Sequence, residues 1–263
     1  MKHLAILLLI CITFISCKEK HIETATTTSA VKEVSTEVIT KELPFKVHSI
    51  SHATMVLQWG ETTIYIDPVG GAEVFANYPQ PDLILVTDIH GDHLNVATIE
   101  GLDTSKAKIM VPQAVADKMP EAFVPQLDVL NNGDSKERFG FSVEAIPMYN
   151  LREEALKFHT KGRGNGYVIE KEGTRVYISG DTEDIPEMRA LTNIDAAFVC
   201  MNLPYTMTEV SAADAVIAFA PKTIYPYHYR GTGGLSDVAN FKNLVNKGNP
   251  AINVIQLDWY AKK

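Results

Sequence analysis

Two histidines and two aspartates fall within the six positions Asp88-Ile89-His90-Gly91-Asp92-His93, directly after Thr87 and the apolar run Leu83-Ile84-Leu85-Val86. Borderline divalent cations take neutral imidazole and carboxylate together, and alternating residues of a tight turn face two neighbouring cation positions. A strand that ends in such a turn presents its ligands on a rigid base. In an ordinary polar turn the same side chains would each need a hydrogen-bond partner or carry a burial cost. The cluster therefore points to a two-metal site.

Further landmarks stand on either side of it. Ile66-Asp67-Pro68 precedes the cluster, while His159, Ser179-Gly180-Asp181-Thr182 and His228 follow in that order. Together they resemble the metallo-β-lactamase superfamily, whose signature His-x-His-x-Asp-His aligns with Asp88-x-His90-x-Asp92-His93, an aspartate replacing the first histidine. The resemblance spans about residues 45 to 258. Within the superfamily, His52-Ala53-Thr54 and Lys161-Gly162-Arg163-Gly164-Asn165-Gly166 look most like the branch that includes L-ascorbate-6-phosphate lactonase and N-acyl-phosphatidylethanolamine phospholipase D.

The resemblance implies that Asp88, His90 and His159 hold a first metal, that Asp92, His93 and His228 hold a second, and that Asp181 bridges the two. Asp181 has a competing role as the N-cap of a helix starting near Glu183. Asp88 either ligates or accepts hydrogen bonds within its own turn, which would leave a one-metal site. As a ligand it adds a negative charge and a hard oxygen, drawing in Mn²⁺ or Fe²⁺ beside the default Zn²⁺. Two cations a few ångströms apart would lower the pKa of a bridging water, so that no serine or cysteine nucleophile is required. Asp92 is the catalytic candidate, orienting that hydroxide and taking up its proton. His52 has three readings: an outer hydrogen bond to a ligand, a substrate contact, or a structural role at a strand start. Lys161, Arg163, Tyr229 and Arg230 are either anion contacts or solvated surface. The implied activity is hydrolysis of an ester-like bond, a phosphodiester or a lactone, in a small-molecule or lipid-headgroup substrate. β-Lactam or thioester hydrolysis is a competing reaction. A non-catalytic metal- or ligand-binding lipoprotein with a degenerate site is the alternative outside enzymology.

The chain has 263 residues, 46% hydrophobic and 21% charged, enough for one large domain with its own core. At the N-terminus, Met1-Lys2-His3 precedes the apolar run Leu4 to Ile15 and then Ser16-Cys17, a basic start and a hydrophobic stretch too short to span a bilayer. Phe14-Ile15-Ser16-Cys17 resembles a bacterial lipobox, in which cleavage leaves Cys17 as the lipidated first residue. Residues 1–16 are thus expected to be a signal peptide and residues 17–42, rich in threonine and poor in apolar clusters, a tether. The hydrolase domain is expected over residues 43–263, lipid-anchored in the cell envelope. Losing Lys2 from 24 basic side chains leaves 23 against 32 acidic ones, a net charge of −9 that disfavours nucleic acid. With Cys11 removed and Cys17 acylated, Cys200 has no partner for a disulfide and reads as a small buried hydrophobe.

Strand patterns run over Thr54 to Trp59, Thr62 to Asp67, Asp82 to Val86, Lys108 to Val111 and Arg138 to Pro147. A second cluster covers Gly166 to Glu170, Arg175 to Ser179, Asp195 to Cys200, Thr223 to Tyr225 and Asn253 to Leu257. Helical patterns lie between, at Pro112 to Lys118, Glu183 to Leu191, Ser211 to Phe219 and Ser236 to Val245. Hairpins mixed with strand-helix-strand units predict two mixed β-sheets faced by helices, an α/β protein. The four-layer αββα sandwich is what the resemblance adds.

Overall fold

Alternation along the central strands decides the layering. The computed structural model describes residues 43–261; the expected signal peptide and tether, with Cys17, lie outside them. In strand β4 (Leu83–Leu85), flanked by β3 (Thr62–Ile66) and β5 (Lys108–Val111), Leu83 and Leu85 join one core while Ile84 and Val86 join another. Successive strand residues face opposite sides of a sheet, so a run apolar at every position must be covered on both.

β1 (Phe45–Ser51), β2 (Thr54–Trp59) and β6 (Leu127–Val129) complete a six-stranded sheet in the order β1-β2-β3-β4-β5-β6. The pairs from β3 to β6 are parallel and the first three strands antiparallel. Its outer face packs Val56, Tyr65, Ile84 and Ile109 against Ile99 of helix α1 (Val96–Gly101) and Val115 of α2 (Gln113–Ala116).

The second sheet is built from β7 (Ser135–Arg138), β8 (Phe141–Met148), β9 (Gly164–Lys171), β10 (Thr174–Ile178), β11 (Ala196–Cys200) and β12 (Thr223–Tyr227). A small hairpin of β13 (Arg230–Gly231) and β14 (Gly234–Leu235) follows, and β15 (Asn253–Val254) closes the sheet beside β12. The larger core contains the inner residues of both sheets, such as Leu57, Ile66, Leu85, Val143 and Ile169, together with Val216 of α4 (Glu209–Phe219) and Phe241 of α5 (Val238–Gly248). Helices on the outer face of each of two mixed sheets make the four-layer αββα arrangement.

The differences from the sequence pattern have local causes. The helix anticipated over Glu183 to Leu191 shrinks to α3 (Pro186–Arg189), because Ile185 before the proline is extended, at φ −89° and ψ 153°. α1 was not apparent from periodicity; its mark is Asn95, whose side chain accepts a hydrogen bond from Thr98 N and caps it.

Cys200 closes β11 with its side chain fully buried and its Sγ 3.4 Å from Thr182 O. Burial, joined by the nearby Asp181 charge, pushes its thiol up to about 12. Native protein is expected to show no reaction at Cys200 with a disulfide reagent at pH 8, followed by full labelling in denaturant, read by peptide mapping.

Candidate metal centre

Each candidate ligand stands just beyond the end of a strand or in a turn beside one. Asp67 follows β3, the cluster from Asp88 to His93 follows β4, Asp181 follows β10 and His228 follows β12; His159 lies ahead of β9. Parallel strands put their C-terminal ends at one edge, and there these loops converge.

His93, Asp181 and His228 meet at the centre. His93 Nε2 is 3.2 Å from His228 Nε2 and 3.4 Å from Asp181 Oδ2, and His228 Nε2 is 3.3 Å from both Asp181 Oδ1 and Asp92 Oδ2. A tetrahedral cation with bonds of roughly 2.0–2.1 Å sets its ligand atoms about 3.3 Å apart. Beside this group, Asp88 Oδ2 lies 2.8 Å from His90 Nδ1, and His159 Nε2 lies 3.2 Å from Asp181 Oδ2. Asp88, His90 and His159 form a second potential metal-holding group; His52, Asp92 and His228 form a third overlapping one. Asp181 therefore touches ligands of both principal positions.

Unmet demand in this cluster is the test of whether a cation fits. His159 Nε2 and Asp181 Oδ1 are buried without a hydrogen-bond partner, although imidazole and carboxylate stand within 3.4 Å of one another there. Buried polar atoms left this way are costly unless something binds them, and imidazole with carboxylate is the donor set of a divalent cation. Burial pulls the His93 imidazole down, but the Asp181 and Asp67 carboxylates outweigh it and hold it well above its ordinary value. For Asp181 burial acts upward and is outweighed by His228 and His93, which hold it well below the carboxylate range. A cation held by His93 would compete with a proton there.

The competing cap role of Asp181 is not what the fold uses. α3 begins at Pro186 and its N-cap Ile185 makes no side-chain bond, leaving the Asp181 carboxylate among the three histidines.

Outer contacts hold the histidines in place. His93 Nδ1 bonds Asp67 Oδ2 at 2.8 Å, and the same carboxylate accepts from Thr87 N and Thr87 Oγ1, each at 2.7 Å. His159 Nδ1 bonds Tyr205 O at 3.1 Å. Such partners fix the tautomer and aim the other ring nitrogen at the cation. The role of Asp67 in holding His93 was not apparent from the sequence, where it was only a landmark of the strand end. His52 and His228 both take left-handed backbone, at φ 57° and 47°, and His228 N donates to His52 O at 3.3 Å. Non-glycine residues in this region are held there by their surroundings.

The outer candidates divide. His52 Nε2 is 3.3 Å from Asp92 Oδ2, its Nδ1 is 2.8 Å from Tyr260 Oη, and its ring lies 3.8 Å from that of His228. Tyr260 gave no signal in the sequence. Arg163 forks onto Asp88, with Nε to Oδ1 at 3.0 Å and Nη2 to Oδ2 at 2.7 Å. Its cation thus offsets the charge that Asp88 was expected to add to the site, a correction that the sequence pattern could not supply. Lys161 Nζ stands 2.6 Å from Glu187 Oε1, and Tyr229 is buried edge-on to Tyr260. Arg230 is exposed, with its guanidinium 4.0 Å over the Tyr260 ring.

Comparison with known proteins follows this geometry. The profile of the beta-lactamase superfamily domain matches residues 46–228. A UPF0173 metal-dependent hydrolase of Pyrococcus abyssi is 30% identical over 210 residues, 76% of this chain and 92% of that one. The chain belongs to this family of metal-dependent hydrolases. A solved metal-dependent hydrolase of Parabacteroides distasonis is similar at 36% identity and a TM-score of 0.72, covering 81% of this chain and 92% of that one. A metallo hydrolase of Ignicoccus hospitalis, 22% identical over 81% of this chain and 94% of that one with a TM-score of 0.69, shares the fold. The enzyme reading of the ligand pattern is thereby borne out, and the non-catalytic alternative falls away.

Proposed function

We propose that this hydrolase cleaves an ester-like bond, a phosphodiester ahead of a lactone, with two divalent cations at the His93-Asp181-His228 and Asp88-His90-His159 groups. The observation that carries this reading is a pocket of about 460 Å³ in which Asp92, His52 and Arg230 share the lining. It places Asp92, 3.3 Å from His228, beside a cation able to meet a charged substrate. A bound divalent cation supplies an activated water and polarises the oxygen under attack. Asp92, 41% exposed at its side chain, turns a carboxylate toward the pocket and is placed to orient that water and accept its proton. His52, anchored by Tyr260, keeps Asp92 in register with His228. A phosphodiester keeps its negative charge through hydrolysis, and Arg230 on its tyrosine platform offers it a guanidinium.

Leu151, Leu156, Leu203 and Tyr205 are exposed hydrophobics on the two segments that carry His159 and the carbonyl holding it. They suit an amphiphilic ester such as a lipid headgroup, which a chain acylated at Cys17 would meet at high local concentration in the cell envelope. Mass spectrometry of membrane-extracted protein checks the anchor: retention of residues 1–16 or an unmodified Cys17 removes it from the proposal.

Metal analysis of the purified protein, followed by assay of bis(p-nitrophenyl) phosphate against γ-lactones, tests the reaction. Diester turnover that chelation abolishes and metal restores is expected; lactone turnover alone would overturn the phosphodiester preference. In the same assay Arg230→Gln is expected to raise KM for the diester about tenfold, the equivalent of roughly 1.4 kcal/mol, with kcat little changed. A neutral lactone should show no such rise.

A further inference from the structure

We propose that Asp88 and Arg163 act as one unit that takes the place of the first histidine of the His-x-His-x-Asp-His signature, Asp88 supplying the ligand oxygen and Arg163 cancelling its charge. The proposal rests on the two-cation reading above. Asp88 is fully buried, and a carboxylate there without a counter-charge would carry a large desolvation cost. Arg163 meets it as a planar fork, one nitrogen on each carboxylate oxygen, and its Nη2 is also fixed at 2.6 Å by Phe158 O. Arginine does not deprotonate in proteins, so this counter-charge is permanent.

The fork leaves lone pairs on Asp88 Oδ2, which lies 2.8 Å from His90 Nδ1 with a His159 ring nitrogen completing the group. Outer hydrogen bonds to a ligating carboxylate are the usual partner of such a site. Charge decides what the unit is equivalent to. A histidine ligand is neutral; aspartate alone adds one negative charge beside Asp92 and Asp181, and aspartate with arginine returns the sum to that of an imidazole. Arg163 also sits four residues after His159, so one short loop carries both the ligand and the counter-charge. The first cation position is then kept from becoming the strongly anionic, hard-ion site that Asp88 alone would make.

Metal stoichiometry and Zn²⁺/Mn²⁺ competition on the full-length apoprotein test this, with thermal melts to show folding. Wild type is expected to take two cations per chain. Arg163→Met should keep the His93-Asp181-His228 position and shift the Asp88-His90-His159 position about tenfold toward Mn²⁺, while Arg163→Lys, which keeps the charge without the fork, should stay near wild type. Asp88→His should fall to one cation, because an unpaired guanidinium then faces the imidazole; Asp88→His/Arg163→Met should recover two and favour Zn²⁺. Two cations in wild type with unchanged selectivity in Arg163→Met would overturn the unit and leave the two-cation reading standing. One cation in wild type, or none, would overturn both the unit and the two-cation reading.

Discussion

Asp181→Ala protein is expected to fold, to bind cations more than 100-fold more weakly than wild type, and to lose hydrolysis to below detection. Loss of an outer hydrogen-bonding partner of a ligand costs roughly 10–100-fold in affinity. Asp181 is nearer the centre than any such partner, with carboxylate oxygens 3.2 Å from His159, 3.3 Å from His228 and 3.4 Å from His93. It thus touches ligands of both positions. A merely structural residue would give a different result. Asp181 Oδ1 has no hydrogen-bond partner, but Oδ2 stands 3.2 Å from His159 and 3.4 Å from His93, so part of the apoprotein's stability goes with the side chain. Apo Asp181→Ala should melt below apo wild type, and a merely structural residue would show that loss alone. What disappears as well in Asp181→Ala is the rise in Tm on adding metal, worth about 2.7 kcal/mol at a hundred times Kd. Calorimetric titration and melting curves with and without metal check both halves; unchanged affinity would remove Asp181 from the ligand set.

Asp67→Ala is expected to show the opposite balance, a large loss of stability and a smaller loss of metal affinity. Asp67 is fully buried, and its carboxylate accepts from Thr87 N, Thr87 Oγ1 and His93 Nδ1. Its backbone is held as well: Asp67 N donates to Leu85 O at 2.9 Å and its carbonyl accepts from Thr54 Oγ1 at 2.7 Å. Removing the carboxylate leaves three donors facing a void. Breaking a buried pair of this kind costs about 3–5 kcal/mol, and loosening His93 as a ligand costs roughly 10–100-fold in affinity. Asp67→Asn should fall between, since its amide nitrogen must face one of those donors. Denaturant unfolding of the apoproteins supplies the first number and metal titration the second. An Asp67→Ala protein as stable as wild type would mean that Thr87 and His93 find other partners.

These two aspartates mark where the sequence is informative and where it stops. The crowding of Asp88, His90, Asp92 and His93 behind a continuous apolar strand already carried the chemistry, because so many ligand side chains leaving a buried strand have few other uses. Short, largely apolar runs placed β2 and β5 to the residue, since a strand covered on both faces is apolar at nearly every position. His159, Asp181 and His228 were legible only by order along the chain. The space between them is set by strand ends that pair across tens of residues.

Tertiary structure alone decided the rest. Whether Asp181 caps a helix or faces a cation depended on where Pro186 lets α3 begin. Whether Asp88 brings a net charge depended on Arg163, 75 positions away. That Asp67 holds His93 required β3 and β4 to lie side by side, and that His52 reaches Asp92 and Tyr260 required the first and last described segments to meet over one edge of the sheets. Sequence pattern reports which faces of the chain avoid water, a local property. Ion pairs and outer hydrogen bonds of a metal site are long-range and directional, and they exist only once the two sheets have packed.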